Sequence, residues 1–118
     1  MSGTGVVAVV DDDLAVLDSL KFLLEAAGYT VAAYSSAMAF LADRATAPAC
    51  LIVDQHMPVM SGLELIAHLR QEAASVPVLM ITGSPSVSIV ARANKLGAAV
   101  LEKPPAEADL LTFIDAHV

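Results

Sequence analysis

Acidic, hydroxyl and ammonium side chains stand at the ends of four short apolar runs in this sequence. Each run lacks Gly and Pro, which is typical of a buried strand. The runs and the polar residues that follow them are 6–10 with Asp11-Asp12-Asp13, 50–53 with Asp54, 78–81 with Thr82, and 98–101 with Lys103. Carboxylates bind hard divalent cations, and a hydroxyl and an ammonium bind phosphoryl oxygens. The set predicts a site for a divalent cation and a phosphoryl group together.

The period of the hydrophobic pattern alternates between strand and helix along the chain. Strands are predicted at 6–10, 30–34, 50–53, 78–81 after Pro77, and 98–102. Helices are predicted at 14–27 with a stop at Gly28, 37–45, 62–72, from Ser86 to Leu96, and 107–116. This order is typical of an α/β fold, a (βα)₅ parallel sheet with helices on both faces. Right-handed crossovers would place all five strand C-termini on one edge, where such sheets bind ligands.

Size and composition exclude several classes of function. A chain of 118 residues, 57% of them hydrophobic, suffices for one domain with one core. No apolar stretch is long enough to span a membrane and no basic signal region starts the chain, so we expect a soluble, cytoplasmic protein without a membrane partner. The net charge of −7 disfavours direct nucleic-acid contact. The lone Cys50 excludes an intrachain disulfide and is expected to be a buried hydrophobe.

Four segments together resemble the signatures of a known family. They are residues 10–13, 53–62, 81–83 and 102–104, in that order and each at a predicted strand end. With them the chain resembles the receiver domain of bacterial two-component response regulators, including chemotaxis and nitrogen-fixation regulators. The resemblance covers residues 1–118 as one domain. It implies a flavodoxin-like doubly wound sheet of order 2-1-3-4-5, and any effector domain is expected outside this chain.

The resemblance implies a phosphorylation-dependent signalling switch. Asp54 would be the phosphoacceptor, taking the phosphoryl group from the phosphohistidine of a sensor histidine kinase. Lys103 would pair with Asp54 and later with the phosphoryl group, to which Thr82 would donate a hydrogen bond. The domain would not be an enzyme beyond its own phosphotransfer and dephosphorylation.

The resemblance also implies a metal site and flanking residues. Asp11, Asp12 and Asp54 would bind Mg²⁺ or Mn²⁺ with the backbone carbonyl of His56, whose ring is not expected to be a ligand. Adjacent carboxylates repel by about 4 kcal/mol at ~4 Å and an effective dielectric of 20, and a cation would remove that conflict. Asp13 is instead predicted to cap the following helix.

Three more residues are assigned through the resemblance to the phosphoryl-binding and modulating positions. Gly83 would leave room for the phosphoryl group and could donate its N–H, while His56 and Ser84 would modulate hydrolysis. A cis peptide bond is implied before Pro104.

The switch position departs from the family pattern. Val100 stands where the family usually has Tyr or Phe, which puts an aromatic-rotamer switch in doubt. Movement of Thr82 and the loop 83–86 could still reshape the face of the fourth helix, fifth strand and fifth helix. That face is the family's usual surface for a partner or a homodimer.

Two other functions remain open from the sequence. A small haloacid-dehalogenase-like phosphatase would use Asp11-x-Asp13, Thr82 and Lys103, but no later acidic pair at a strand end follows, and Asp54 would have no role. A receiver-like interaction module that works without phosphorylation is the other alternative, kept open by Val100. A flavin-binding flavodoxin is disfavoured because no Ser/Thr/Gly-rich phosphate loop follows the first strand.

Overall fold

A computed structural model describes residues 5–43 and 47–118, which form five strands and five helices in alternation. The strands are β1 (Val6–Val10), β2 (Thr30–Tyr34), β3 (Cys50–Asp54), β4 (Val78–Thr82) and β5 (Ala98–Glu102). The helices are α1 (Leu14–Ala26), α2 (Ala37–Ala42), α3 (Gly62–Gln71), α4 (Val87–Lys95) and α5 (Glu107–Asp115). Within this described part of the chain, no helix is long and apolar enough to cross a membrane.

All strand pairs are parallel, and the sheet order is β2-β1-β3-β4-β5. The predicted α/β fold and strand order are therefore confirmed. β1 lies between β2 and β3, so the chain runs from β1 to β2 on one side and then crosses to β3 on the other side. In open α/β sheets a ligand crevice forms at such a switch point, outside the C-terminal ends of the strands.

The core consists of two layers, one on each face of the sheet. Because successive strand residues point to opposite faces, the continuously apolar strands supply both layers. Val7, Val9 and Ile52 pack with α1 and α5, whereas Val10, Leu51 and Met80 pack with α2, α3 and α4. The sheet below the C-terminal edge is thus packed on both faces.

Side-chain caps start four of the five helices. Asp13, Ser36, Ser61 and Ser86 each accept a hydrogen bond from a backbone N–H in the first turn of α1, α2, α3 and α4. The predicted capping role of Asp13 is thus confirmed. Ser61 forms a capping box, since its own N–H donates to the Glu64 carboxylate at 2.9 Å.

The element ends differ from the sequence prediction in a few places. α2 ends at Ala42 rather than at residue 45, with Asp43 as its C-cap; residues 44–46 lie outside the described residues. β3 includes Asp54, which had been expected just beyond it. Pro77 precedes β4 and has no N–H to donate, but its carbonyl accepts from Leu51 at 2.9 Å.

Arg70 ties the end of α3 to two other segments. Its Nε donates to the Leu96 carbonyl at 2.8 Å, and its Nη1 donates to the carbonyls of Ala74 and Val76 at 2.9 Å each. These carbonyls lie after α3, before β4 and at the end of α4. One guanidinium therefore satisfies three backbone acceptors in two segments, the α3–β4 connection and the end of α4.

Replacing Arg70 with Ala should destabilise the fold by about 2 kcal/mol, because charge-assisted hydrogen bonds to partly buried carbonyls are lost. Urea unfolding would measure the change. Arg92→Ala, at an exposed position in the last turn of α4, is the matched control and should stay within about 0.5 kcal/mol of wild type. Equal losses in both variants would show that the three contacts contribute nothing specific.

Candidate functional site

Three carboxylates converge where β1 and β3 end. One ligand oxygen each from Asp11, Asp12 and Asp54 can be chosen so that all three lie within 4.8 Å of one another. Asp11 is 2% exposed and Asp54 is 5% exposed, whereas Asp12 faces solvent. This all-oxygen donor set, open on one side, suits a hard divalent cation that keeps several of its waters, such as Mg²⁺. The residues present therefore fit the metal that the resemblance implied.

Lys103 crosses the sheet edge from β5 to reach the same carboxylates. Its Nζ lies 2.9 Å from Asp54 Oδ1 and 3.3 Å from Asp11 Oδ2. The side chain is 27% exposed, and its backbone N–H donates to the Thr82 carbonyl at 2.9 Å. The peptide bond between Lys103 and Pro104 is cis. One ammonium thus contacts both buried carboxylates.

Burial and neighbouring charges together shift the pKa values of Asp11 and Lys103 in this cluster. Burial, and then the charge of Asp54, raise the pKa of Asp11, although the Asp13 N–H and Lys103 oppose the shift. Burial by itself would lower the pKa of Lys103, but its hydrogen bond to Asp54 and the charge of Asp11 outweigh this and raise the pKa. The ammonium is therefore fully charged at neutral pH, and the ionised form of Asp11 is held at a cost.

Asp11→Asn should stabilise the magnesium-free protein by on the order of 1 kcal/mol, a few degrees in Tm. When folding raises the pKa of an acid, the folded protein loses stability as the pH rises from the unfolded-state pKa through the folded-state pKa. Asn keeps an oxygen that can accept the Asp13 N–H, now 2.9 Å from Asp11 Oδ1. Thermal unfolding should show the gain at pH 7 and a smaller gain as the pH falls toward 3.8, the ordinary value for Asp.

Asp18→Asn on the exposed face of α1 is the control for that measurement. It removes the same charge outside the cluster and should leave Tm nearly unchanged. A lower Tm for Asp11→Asn would mean that attraction to Lys103, rather than burial and repulsion, dominates at Asp11.

The end of β4 supplies the hydroxyl side of the site. Thr82 is fully buried, and its Oγ1 accepts the Ser84 N–H at 3.2 Å. Gly83 is exposed, and a Cβ added there would meet no atom within 4 Å. Open space therefore lies beside Gly83, at the same sheet edge as the acidic cluster.

The loop between β3 and α3 is short and strained. His56 in this loop is exposed. The Met60 N–H donates to the Pro58 carbonyl at 2.8 Å, and Val59 between them has a φ of 70° and is 92% exposed. A positive φ is costly for a β-branched residue, as is the γ-turn that this bond closes. At the end of the loop Gly62 approaches Asp54 so closely that a Cβ would lie 2.6 Å from the Asp54 carbonyl oxygen.

The comparisons with known proteins agree with this geometry. The sequence profile of the response regulator receiver domain matches residues 7–115. The chain belongs to this family. It is 38% identical over 113 residues to the transcriptional regulatory protein FixJ of Bradyrhizobium diazoefficiens, covering 95% of this chain and 55% of FixJ. The predicted family and class of function are confirmed.

Solved structures show the same fold. The crystal structure of FixJ-N aligns with a TM-score of 0.86 and 35% identity, covering 94% of this chain and 90% of that one. The Vibrio cholerae chemotaxis protein CheY4 aligns with a TM-score of 0.87 and 27% identity, covering 97% and 98%. The receiver domain spans about half the length of the curated relatives it matches.

Val100, which stands at the position that the resemblance assigned to a switch residue, is half-buried. It pairs with Met80 in the sheet and packs against the core layer of α2, α3 and α4. The Val100 side chain fills only a small part of the volume of that layer.

Gln55 is the residue of this edge whose importance the sequence analysis missed. It is buried, and its Oε1 accepts the Leu63 N–H at 2.8 Å. The available signal was a polar residue between a buried strand and a loop, which needs a partner if it is buried. The identity of that partner depends on the path of the loop.

Proposed function

We propose that this receiver domain takes a phosphoryl group onto Asp54 from the phosphohistidine of a sensor histidine kinase. The observation that carries the proposal is the pairing of Asp54 with Lys103 at 2.9 Å, within a three-carboxylate cluster. A carboxylate that is held beside a lysine ammonium at a sheet edge can attack phosphorus. The ammonium keeps it in position while negative charge moves onto the phosphoryl group. The family membership supports the same role.

The transfer needs no general base, because a carboxylate is a nucleophile without losing a proton. An oxygen of Asp54 forms the new O–P bond as the N–P bond to the kinase imidazole breaks, and the imidazole leaves with its electron pair. The Lys103 ammonium pairs first with the Asp54 carboxylate and then with the phosphoryl oxygens. Thr82 and the N–H of Gly83 supply hydrogen bonds on the other side.

Asp11, Asp12 and Asp54, with the backbone carbonyl of His56, would hold Mg²⁺ or Mn²⁺. The bound cation supplies positive charge that offsets the three carboxylates and the phosphoryl oxygens. The acyl phosphate is later hydrolysed, and His56 and Ser84 at the rim modulate that rate.

Phosphorylation changes the face formed by α4, β5 and α5, which is the output surface of the domain. Thr82 adjusts toward the phosphoryl group and moves the loop 83–86, at whose end Ser86 caps α4. That movement would reshape the face for a partner or for a second copy of the domain. The FixJ relative is named a transcriptional regulatory protein and is about twice as long. We infer that any contact with DNA belongs to another domain, and that the exchange with the kinase occurs in the cytoplasm.

The phosphatase alternative fits the geometry less well. It needs Asp13 as an acid beside the reacting group, yet Asp13 Oδ1 accepts from Ala15 and Val16 at 3.0 and 3.2 Å as the cap of α1. Asp54 would also have no function in it, although it is buried and paired with Lys103.

Intact mass spectrometry with a small phosphoryl donor tests the proposal. Incubation with Mg²⁺ and acetyl phosphate or phosphoramidate should add one phosphoryl group, about 80 Da. Omission of the metal should remove the gain, and peptide mapping should place the group on Asp54. A folded protein that gains no mass and releases no phosphate would favour the phosphorylation-independent interaction module. Steady phosphate release without an adduct would favour the phosphatase.

A further inference from the structure

Gln55 joins the strand that ends in Asp54 to the first turn of α3. Its N–H donates to the Ile81 carbonyl of β4 at 3.0 Å, and its carbonyl accepts the Gly62 N–H at 3.0 Å. Its side-chain Oε1 accepts the Leu63 N–H at 2.8 Å in a buried setting. Since Leu63 offers a backbone N–H, the bonded atom of the amide must be its oxygen. Three hydrogen bonds thus hold one residue between β4 and α3.

The side-chain bond goes beyond helix capping. The first N–H groups of a helix lack partners within the helix, and Ser61 already provides a local cap by accepting from Glu64 at 3.2 Å. Gln55 takes the Leu63 N–H from eight residues earlier, across the loop. Ser61 stabilises the helix start, whereas Gln55 fixes where that start lies relative to β3.

The loop between these anchors needs such a constraint. It carries the costly positive φ of 70° at Val59, a conformation that persists only where the surroundings enforce it. Gly62 lies against the Asp54 backbone. Any shift of α3 would therefore displace Asp54 within the acidic cluster. His56, whose carbonyl we assign to the metal, is bonded directly to Gln55.

We propose that Gln55 is a positioning residue for the metal site, which it serves by fixing the β3–α3 loop through the Leu63 N–H. The inference rests on the proposed function, because the metal and the role of the His56 carbonyl belong to it. Gln55 touches neither cation nor phosphoryl group. Its side chain sets the position of the loop that carries the His56 carbonyl.

Gln55→Met tests this, with Ser61→Ala as the matched control. Met has a similar volume and no oxygen, so it removes the acceptor and leaves the buried space filled. Ser61→Ala removes the other acceptor at the same helix end. Phosphorylation by phosphoramidate is measured against Mg²⁺ concentration, together with Tm and hydrogen exchange of the Leu63 amide.

The expected result separates the two variants. Gln55→Met should expose the Leu63 amide to hydrogen exchange. It should also raise the apparent Mg²⁺ dissociation constant roughly tenfold, the low end of the effect seen when a residue that supports a metal ligand is replaced. The rate at saturating Mg²⁺ should stay within about twofold, since Asp54, Lys103 and Thr82 are untouched. Ser61→Ala should lower Tm without changing the apparent Mg²⁺ dissociation constant. Equal changes in both variants, or none in Gln55→Met, would overturn the inference.

A third variant and a second readout complete the design. Gln55→Glu keeps an oxygen acceptor and should restore protection of the Leu63 amide; loss of protection there would also count against the inference. Its added charge strengthens cation binding directly, so exchange is the readout for this variant. If wild type takes no phosphoryl group, the proposed function fails. Calorimetric titration of the unphosphorylated proteins with Mg²⁺ then still decides the role of Gln55.

Discussion

Asp54→Asn should abolish the phosphoryl adduct, to below about 1% of the wild-type yield, because a neutral amide oxygen is not a nucleophile toward phosphorus. Asn has the shape of Asp and leaves Lys103 its contact with Asp11 at 3.3 Å. The variant should therefore stay folded. Removal of one charge from the cluster should also weaken Mg²⁺ binding. Intact mass measures the first effect and calorimetric titration measures the second.

The control for this experiment is Asp18→Asn on α1, which should take up the phosphoryl group as wild type does. A persistent adduct in Asp54→Asn would contradict the proposal. Peptide mapping would then show whether Asp11 or Asp12, both in the same cluster, had become the acceptor.

The convergence of the site could be predicted from the sequence because parallel topology does most of the positioning. Asp11, Asp54 and Lys103 are far apart in the chain, but each stands at the C-terminal end of a strand. Once strand and helix alternate and crossovers are right-handed, those ends meet at one edge. The sequence pattern therefore predicted that these groups meet. It could not predict that the Lys103 ammonium lies closer to Asp54 than to Asp11.

Contacts that depend on the path of a loop could not be predicted in this way. The bond from Leu63 to Gln55 needs the turn at Val59, and a positive φ at Val is against the local preference. The bond from Arg70 to Leu96 spans 26 residues and depends on how α3 and α4 pack. The end of α2 at Ala42 was also missed, because no Gly or Pro directly follows it.

At Val100 the aromatic switch of the family cannot be carried over to this chain, for a physical reason. The Val100 side chain is small, and it packs in the layer that also contains Ile89 of α4 and Ala93. A swing of this residue would move little volume. We infer that coupling to the face of α4, β5 and α5 relies on backbone movement in the loop 83–86, whose Ser86 caps α4. Nuclear magnetic resonance of the beryllofluoride-bound domain would detect shifts at 83–86, and unchanged signals there would contradict this route.

Lys103→Met should slow formation of the adduct by about 100-fold, in the range seen when one charge-stabilising donor is removed from an active site. Met is close to Lys in length, so packing beside Pro104 is largely kept while the positive charge is lost. The pairings at 2.9 and 3.3 Å disappear together. The initial rate with phosphoramidate at saturating Mg²⁺ measures the effect. Lys95→Met at the exposed end of α4 is the control and should react at the wild-type rate.

The same substitution should change stability in the direction opposite to Asp11→Asn. Without the ammonium, Asp11 and Asp54 repel at close range, so the magnesium-free protein should lose about 1–2 kcal/mol, less than for a fully buried pair. Because folding raises the pKa of Lys103, its own titration leaves this stabilisation intact at pH values below 10.5 and removes it as the pH rises through the higher folded-state pKa. Saturating Mg²⁺ should restore most of the lost Tm without restoring the rate. A rate within about threefold of wild type would show that Lys103 balances the charge of the resting site but takes no part in the transfer.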